Sequence, residues 1–295
     1  MGGHLALSHD RFTADIASAG AAIAAPPSPS HACEQCDYCQ AGRLNLCRHM
    51  RFLGSASVFP HVQGMFRERS VMGERQLTPV DEDISLGELA CAEPLSIGLH
   101  AVYRAGSLTG KTVLVTGGGT IGCMSVIAAR LAGAARIICC DIADRPLAMA
   151  TQVGADRIIR SDRAGCTAFA DIADICIEAA GSPAALATCL EATRKGGRIV
   201  QVGTLPTEGV MFPANSIMAR ELDYVGAFRA AQAFDWAVQY IRTRQVDVRP
   251  LLSAQIPLKP LARSLRARCR PHAQHQGASD QRLNTTDMSP EETTS

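Results

Sequence analysis

The sequence predicts an α/β protein built on a doubly wound parallel sheet, and three observations carry that expectation. First, apolar β-type runs alternate with helical stretches of about ten residues from 113 to 226, the pattern of parallel strands joined by crossover helices. Second, residues 113–141 (VLVTGGGTIGCMSVIAARLAGAARIICCD) give strand, glycine-rich turn, helix, strand and acid in that order. Third, the 295 residues are 47% hydrophobic and 19% charged, enough for a sizeable core in one large domain or two.

Composition also excludes some functions. A net charge of +1 offers no basic footprint for nucleic acid or an anionic membrane. No run reaches the roughly 18 apolar residues of a membrane helix. The start, MGGHLALSHDR, lacks a basic region followed by an apolar core, so no signal peptide is expected and the cytoplasm is the expected location. Of the 12 cysteines, Cys91, Cys123, Cys139, Cys140, Cys176 and Cys189 lie in apolar segments and read as small core residues kept reduced.

Residues 1–32 run to Ala, Pro and Ser, with Phe12 the one aromatic, and show no sustained period. A disordered lead is expected there, with a helical hairpin over 12–23 as the ordered alternative. Residues 33–47 (CEQCDYCQAGRLNLC) space four thiols as C-x2-C-x2-C-x7-C at Cys33, Cys36, Cys39 and Cys47. Four thiolates close a tetrahedron around zinc, and a site with no open position is structural. A ferredoxin run has three residues before its last Cys and then Pro. Here the gap is seven and Arg48 follows, which favours zinc. Residues 66–79 look β-type. Residues 84–106 look helical, with Leu86, Leu89, Ala90, Leu95, Leu99 and Val102 forming the apolar face and Pro94 starting a new helix. Glu93 stands just before that proline, either as an acid stabilised by the helix dipole or as a site residue. His100 reads as a core or supporting histidine.

In 113–141 each part has a mechanical reason. Gly117 permits the tight turn, Gly119 lets backbone approach a pyrophosphate, and Gly122 lets the helix pack close on the strand. An apolar helical segment, 123–131, follows, and its N-terminus, with Thr120 and Ile121 in the turn leading into it, offers free N–H groups to phosphate. Asp141, 22 residues after Gly119, falls where a carboxylate binds a ribose 2′-hydroxyl and repels a 2′-phosphate. NAD is therefore expected over NADP, although Arg145 close by works against that preference. Helix 145–153, strand 157–160, strand 173–183 into a turn, helix 184–193, a Gly196-Gly197 turn, strand 198–206 and helix 233–247 continue the pattern. Ligands in such sheets lie beyond the carboxyl ends of the strands, which points to 179–181, to Val202, Gly203 and Thr204, and to Ala227, Phe228 and Arg229.

A four-cysteine lobe about 70 residues before a nucleotide-binding turn resembles the zinc-containing medium-chain dehydrogenases, polyol group. The segments HMRFLGSAS (49–57) and HVQGMFRER (61–69) most resemble the L-idonate 5-dehydrogenase branch of that group, and the resemblance runs from about 31 to 260. It implies a Rossmann NAD-binding domain over 101–232, a remnant of a GroES-like, mainly β catalytic domain with its zinc lobe over 33–100, and a return segment over 233–262. It implies zinc- and NAD-dependent oxidation of a secondary alcohol of a polyol or sugar acid, with L-idonate going to 5-ketogluconate and sorbitol or threonine as other substrates. By the same resemblance Glu93 faces the catalytic zinc and its water or substrate. The turns at 202–204 and 227–229 contact the nicotinamide half, Arg229 reaches substrate oxygens, and the enzymes are dimers or tetramers.

Two departures qualify this. The family's catalytic zinc ligands, a cysteine near the start and a Gly-His-Glu motif, have no counterpart, because no cysteine precedes Cys33 and Leu5 follows Gly3-His4. A chain that binds NAD and structural zinc without turnover is therefore the alternative expectation. At the other end, 263–295 has the composition of a disordered tail. RPHAQHQGA can be encoded so that a reading one base later spells DRTRSIKV, the kind of segment that closes relatives. A frameshift near Leu265, and a similar accident or fragmentation before His31, are the expected explanation.

Overall fold

The computed structural model describes the backbone of 6–9, 12–15 and 22–24, and then 32–253 except for 56–58, 63, 65–70, 73–76, 81–82, 166 and 231. Short strands β1 (Ala6–His9), β2 (Phe12–Asp15) and β3 (Ala22–Ala24) occupy the lead, where neither strand nor pairing was expected. β1 and β2 form an antiparallel hairpin. β1 also runs parallel to β4 (Val71–Met72), and β3 pairs antiparallel with β5 (Thr78–Val80). Beyond that local hairpin, β1 and β3 pair with segments more than 50 residues away, which no local pattern shows. The tail at 263–295 lies outside the described residues.

The zinc lobe contributes one short helix, α1 (Asp37–Gln40). Then α2 (Leu86–Ala90) and α3 (Ala92–Ala105) follow almost without a break, with Pro94 in the first turn of α3 as its missing N–H requires. Ser85 caps α2 reciprocally with Glu88: the Glu88 N–H donates to the Ser85 hydroxyl, and the Ser85 N–H donates back to the Glu88 carboxylate.

The nucleotide domain alternates as the sequence predicts: β6 (Thr112–Thr116), α4 (Thr120–Leu131), β7 (Arg136–Asp141), α5 (Asp144–Gln152), β8 (Arg157–Arg160), β9 (Ala173–Glu178), α6 (Pro183–Ala192), β10 (Thr193–Gln201), α7 (Ala214–Ala219), β11 (Asp223–Gly226) and α8 (Ala233–Arg242). All six strands pair in parallel in the order β11-β10-β9-β6-β7-β8. β6 has β7 on one side and β9 on the other, so the chain reverses its direction of winding there and opens a crevice above the strand ends.

Alternation along the strands fills both layers. Val113, Val115, Ile137, Ile175, Ile177 and Val200 join one core with residues of α3, α4 and α8. Leu114, Ile138, Cys140, Cys176 and Ile199 join the other with residues of α6. The six scattered cysteines are buried in these layers, as expected.

Three details differ from the local reading. β10 starts at Thr193, but its register with β9 breaks between Thr193 and Arg198, and the expected Gly196-Gly197 turn lies inside that irregular stretch. Helix α7 appears where none was expected. Helix α8 ends at Arg242, not 247, because Arg244 adopts φ +56° and turns its guanidinium to Glu88 and to the Asp83 carbonyl. Among the described residues no helix is long and apolar enough to cross a membrane.

Candidate functional site

The crevice above β6, β7 and β9 holds about 670 Å³ and is lined by Gly117, Gly119, Asp141, Ser161, Ala180 and Ser182 among others. Each glycine of the turn has its own reason. Gly117 takes φ +89°, and a Cβ there would stand 3.0 Å from Ala180. A Cβ on Gly122 would stand 1.7 Å from the Gly117 carbonyl oxygen, so helix and turn can meet only at a glycine. At Gly119 nothing lies within 4 Å of that position. Its backbone faces open space at the start of α4, the room that a pyrophosphate needs.

Asp141, at the end of β7, accepts the Gly118 N–H at 2.7 Å and the Ala143 N–H at 2.9 Å. These two bonds fix the carboxylate beside the crevice and leave lone pairs for a ribose hydroxyl. Thr120, Ile121 and Gly122 form the first turn of α4. Arg145, by contrast, is exposed on α5 and does not line the crevice. Burial pushes the lining thiol of Cys140 up to about 12, so it stays protonated.

The second pair of turns is tied together by a residue that sequence reading passed over. Glu178 is fully buried at the end of β9. Its carboxylate accepts the N–H groups of Ala180 (3.0 Å) and Gly181 (2.8 Å) and the side-chain amide of Gln201. Its backbone carbonyl accepts the N–H groups of Val202 and Gly203, both at 2.9 Å. Gly203 packs so closely that a Cβ would stand 2.3 Å from the Gly181 nitrogen, and one on Gly181 would stand 2.7 Å from the Thr204 carbonyl oxygen. Ala227 N–H donates to the Gln201 carbonyl, which joins the turn after β11 to the same frame. An acid ending an apolar run, ICIE, was the available signal, because a buried carboxylate must find donors.

Glu93 and Arg229 meet electrostatically at this end of the sheet. Burial raises the Glu93 carboxyl above its ordinary range, and the positive charge of Arg229 pulls it partly back. Burial lowers Arg229, and Glu93 opposes that. Arg229 holds a left-handed backbone (φ +55°), its guanidinium lies 3.5 Å from the Phe52 ring centroid, and its Nε is buried without a hydrogen-bond partner among the described residues. A strained arginine with an orphan donor is uncommon away from functional sites. Phe52 and Asn45 come from the zinc-lobe side: Phe52 meets the Phe228 ring edge-on at 6.4 Å, and the Asn45 amide donates to the Phe228 carbonyl at 2.8 Å. Neither was legible in the sequence, because the contacts span more than 170 residues.

In the lobe itself the four sulfurs of Cys33, Cys36, Cys39 and Cys47 all lie within 4.8 Å of one another. Two of the separations, 3.5 Å for Cys36–Cys39 and 4.0 Å for Cys33–Cys39, bracket the edge of about 3.8 Å expected for a tetrahedron with Zn–S bonds of about 2.3 Å. The N–H groups of Arg48 and Cys39 bring the Cys36 thiol down to about 6. Desolvation, and then its sulfur neighbours, push Cys39 up to about 12. Four crowded sulfurs cannot all ionise unaided, and a dication at their centre is what would let them. Outside this cluster, no group of three or more Cys, His, Asp or Glu side chains is arranged for a metal among the described residues.

Comparison with known proteins agrees with this architecture. A family model described as zinc-binding dehydrogenase matches residues 120–243. The L-idonate 5-dehydrogenase (NAD(P)(+)) of Escherichia coli (strain K12) is 37% identical over 244 residues, 81% of this chain and 70% of that protein. The sorbitol dehydrogenase of Arabidopsis thaliana is 34% identical over 76% of this chain and 63% of its own length. The crystal structure of the Escherichia coli K-12 L-idonate 5-dehydrogenase superposes with a TM-score of 0.80 at 34% identity, covering 88% of this chain and 73% of that one. A zinc-binding dehydrogenase of Sinorhizobium meliloti 1021, solved with NADP, gives a TM-score of 0.77 at 28% identity over 88% and 74% of the two chains. The chain thus spans between 63% and 70% of the length of these curated relatives.

Proposed function

This chain belongs to the zinc-binding dehydrogenases, and from that premise we propose that it binds NAD and oxidises a secondary alcohol of a polyol or sugar acid, with L-idonate going to 5-ketogluconate. The observation that carries the reading is the Glu93–Arg229 pair, held beside the Glu178-braced turns where a nicotinamide would lie. NAD, when bound, supplies the hydride acceptor. The chain's own residues do the rest. Gly119 and the first N–H groups of α4 hold the pyrophosphate, and Asp141 takes the ribose hydroxyl. Arg229 offers its guanidinium, whose Nε–H is unspent among the described residues, to a substrate oxygen, which would fix the alcohol carbon toward the nicotinamide face. Glu93, its carboxyl raised by burial, takes the hydroxyl proton. Cys33, Cys36, Cys39 and Cys47 would hold a structural zinc. No step is routed through a second zinc, because Glu93 has no set of companion ligands among the described residues. We place the protein in the cytoplasm, where the ten cysteines that form no disulfide among the described residues would stay reduced, and, from the family resemblance, as a dimer or tetramer.

That lack of companions favours a second reading, a chain that binds NAD and structural zinc without turnover. Metal analysis and NADH formation with L-idonate, sorbitol and threonine separate the two. NADH formation with L-idonate, lost in Arg229→Ala, is the expected result. One zinc per chain with NAD bound and no NADH from any of the three alcohols would establish the second reading instead.

A further inference from the structure

A second cavity, of about 320 Å³, lies between the turn after α1, helix α3, the end of β11 and helix α8. It shares no lining residue with the crevice above β6, β7 and β9, but Phe228 of the turn after β11, and Asn45 bonded to it, stand in its wall. Arg43, Asn45, His100 and Arg104 supply its polar wall, and Tyr103 and Trp236 its aromatic one, with ring centroids 6.0 Å apart. Its volume is at the lower end of the range for small-molecule sites, about 300–1,000 Å³.

The charges in this cavity are one-sided. No carboxylate lines it among the described residues, and neither Arg43 nor Arg104 has an acidic partner there. Among the described residues Arg104 spends only its Nε–H, on the Gly226 carbonyl at 2.9 Å, and so keeps its terminal nitrogens for another acceptor. His100 is buried, and its imidazole is held below its ordinary value by burial first and then by the charges of Arg104 and Arg43. Both arginines stand in the wall of the one cavity. Two arginines converging without a counter-charge form a site for an oxyanion, which a guanidinium binds through paired N–H groups. The Tyr103 and Trp236 rings give flat apolar walls for the C–H faces of a small carbon chain.

We propose that this cavity binds a small organic oxyanion, a carboxylate or phosphate carried on a ligand of sugar size, at a site outside the crevice above β6, β7 and β9. The proposal stands whether or not the chain turns over an alcohol.

The molecule carries its own reporter, because Trp236 is the one tryptophan in the sequence. The full chain, saturated with ADP-ribose so that the nucleotide crevice is filled, is titrated with gluconate, with inorganic phosphate and with uncharged sorbitol at constant ionic strength. A saturable change in Trp236 emission with gluconate or phosphate but not sorbitol is expected, and which anion saturates identifies carboxylate or phosphate as the preferred head. Arg43→Gln, at an exposed position where folding is not at risk, should weaken that binding about tenfold, as should Arg104→Lys. The proposal is overturned if neither anion saturates, if sorbitol acts equally, or if Arg43→Gln leaves the titration unchanged.

Discussion

Asp141 is the side chain we propose to bias cofactor choice. Its carboxylate is pinned by two N–H donors and so presents a fixed negative charge beside the crevice. Asp141→Asn keeps the shape and removes the charge. NAD affinity should fall by about 1.5–3 kcal/mol, the worth of a charge-assisted hydrogen bond, and the preference for NAD over NADP should shrink. Calorimetric titration of both dinucleotides tests this, and unchanged affinities for both would mean that the carboxylate does not face the ribose. The glycines give a sharper contrast. Gly119→Ala meets no neighbour, so the unfolding temperature should hold while NAD affinity drops at least about tenfold, or ~1.4 kcal/mol. Gly122→Ala drives a methyl into the Gly117 carbonyl, and both stability and binding should fail. If calorimetry shows Gly119→Ala binding NAD normally, the pyrophosphate lies elsewhere.

At the scale of an element, α2 is held by its cap rather than by its length. Five residues are too few for a helix to persist alone. Ser85→Ala should cost about 1 kcal/mol, or roughly 2–4 °C in a chain this large. Glu88 adds a pH signature. Burial by itself would raise its carboxyl, but the Ser85 hydroxyl and N–H and then the Arg244 guanidinium hold it below its ordinary value. The folded state thus takes up this proton at lower pH than the unfolded chain does. The stabilisation is present above the unfolded value of about 4.3 and is lost as pH falls through the folded one. Glu88→Gln should lower the unfolding temperature at neutral pH and flatten its decline in acid. Parallel curves for the two proteins below pH 5 would argue that Glu88 is not the group responsible.

Across the whole molecule, the zinc lobe does more than close on itself. Through Asn45 and Phe52 it touches Phe228 and Arg229 just after β11, so an ion held by the four sulfurs would prop the turn that carries Arg229, the residue we propose to face substrate. Stripping zinc with a chelator, or removing one ligand in Cys36→Ser, should lower the unfolding temperature. It should also weaken NADH binding more than ADP-ribose binding, since only the former uses the nicotinamide-side turns. Differential scanning fluorimetry and calorimetry read the two effects. Equal losses for both ligands would show general unfolding rather than a lost prop.

The local patterns of this chain were enough to reveal the parallel α/β domain, the glycine turn, Asp141 and the four thiols. Each depends on residues close in sequence, where side-chain period, backbone φ and ligand spacing act directly. Residue spacing could not show that 6–9 and 22–24 form strands, because β1 and β3 pair with segments beyond residue 70. Nor could it find Glu178 as the brace of two turns, or bring Phe52 beneath Arg229. Those relations join segments that are distant in sequence, and only the packed tertiary structure, which must satisfy every buried donor and charge at once, decides them.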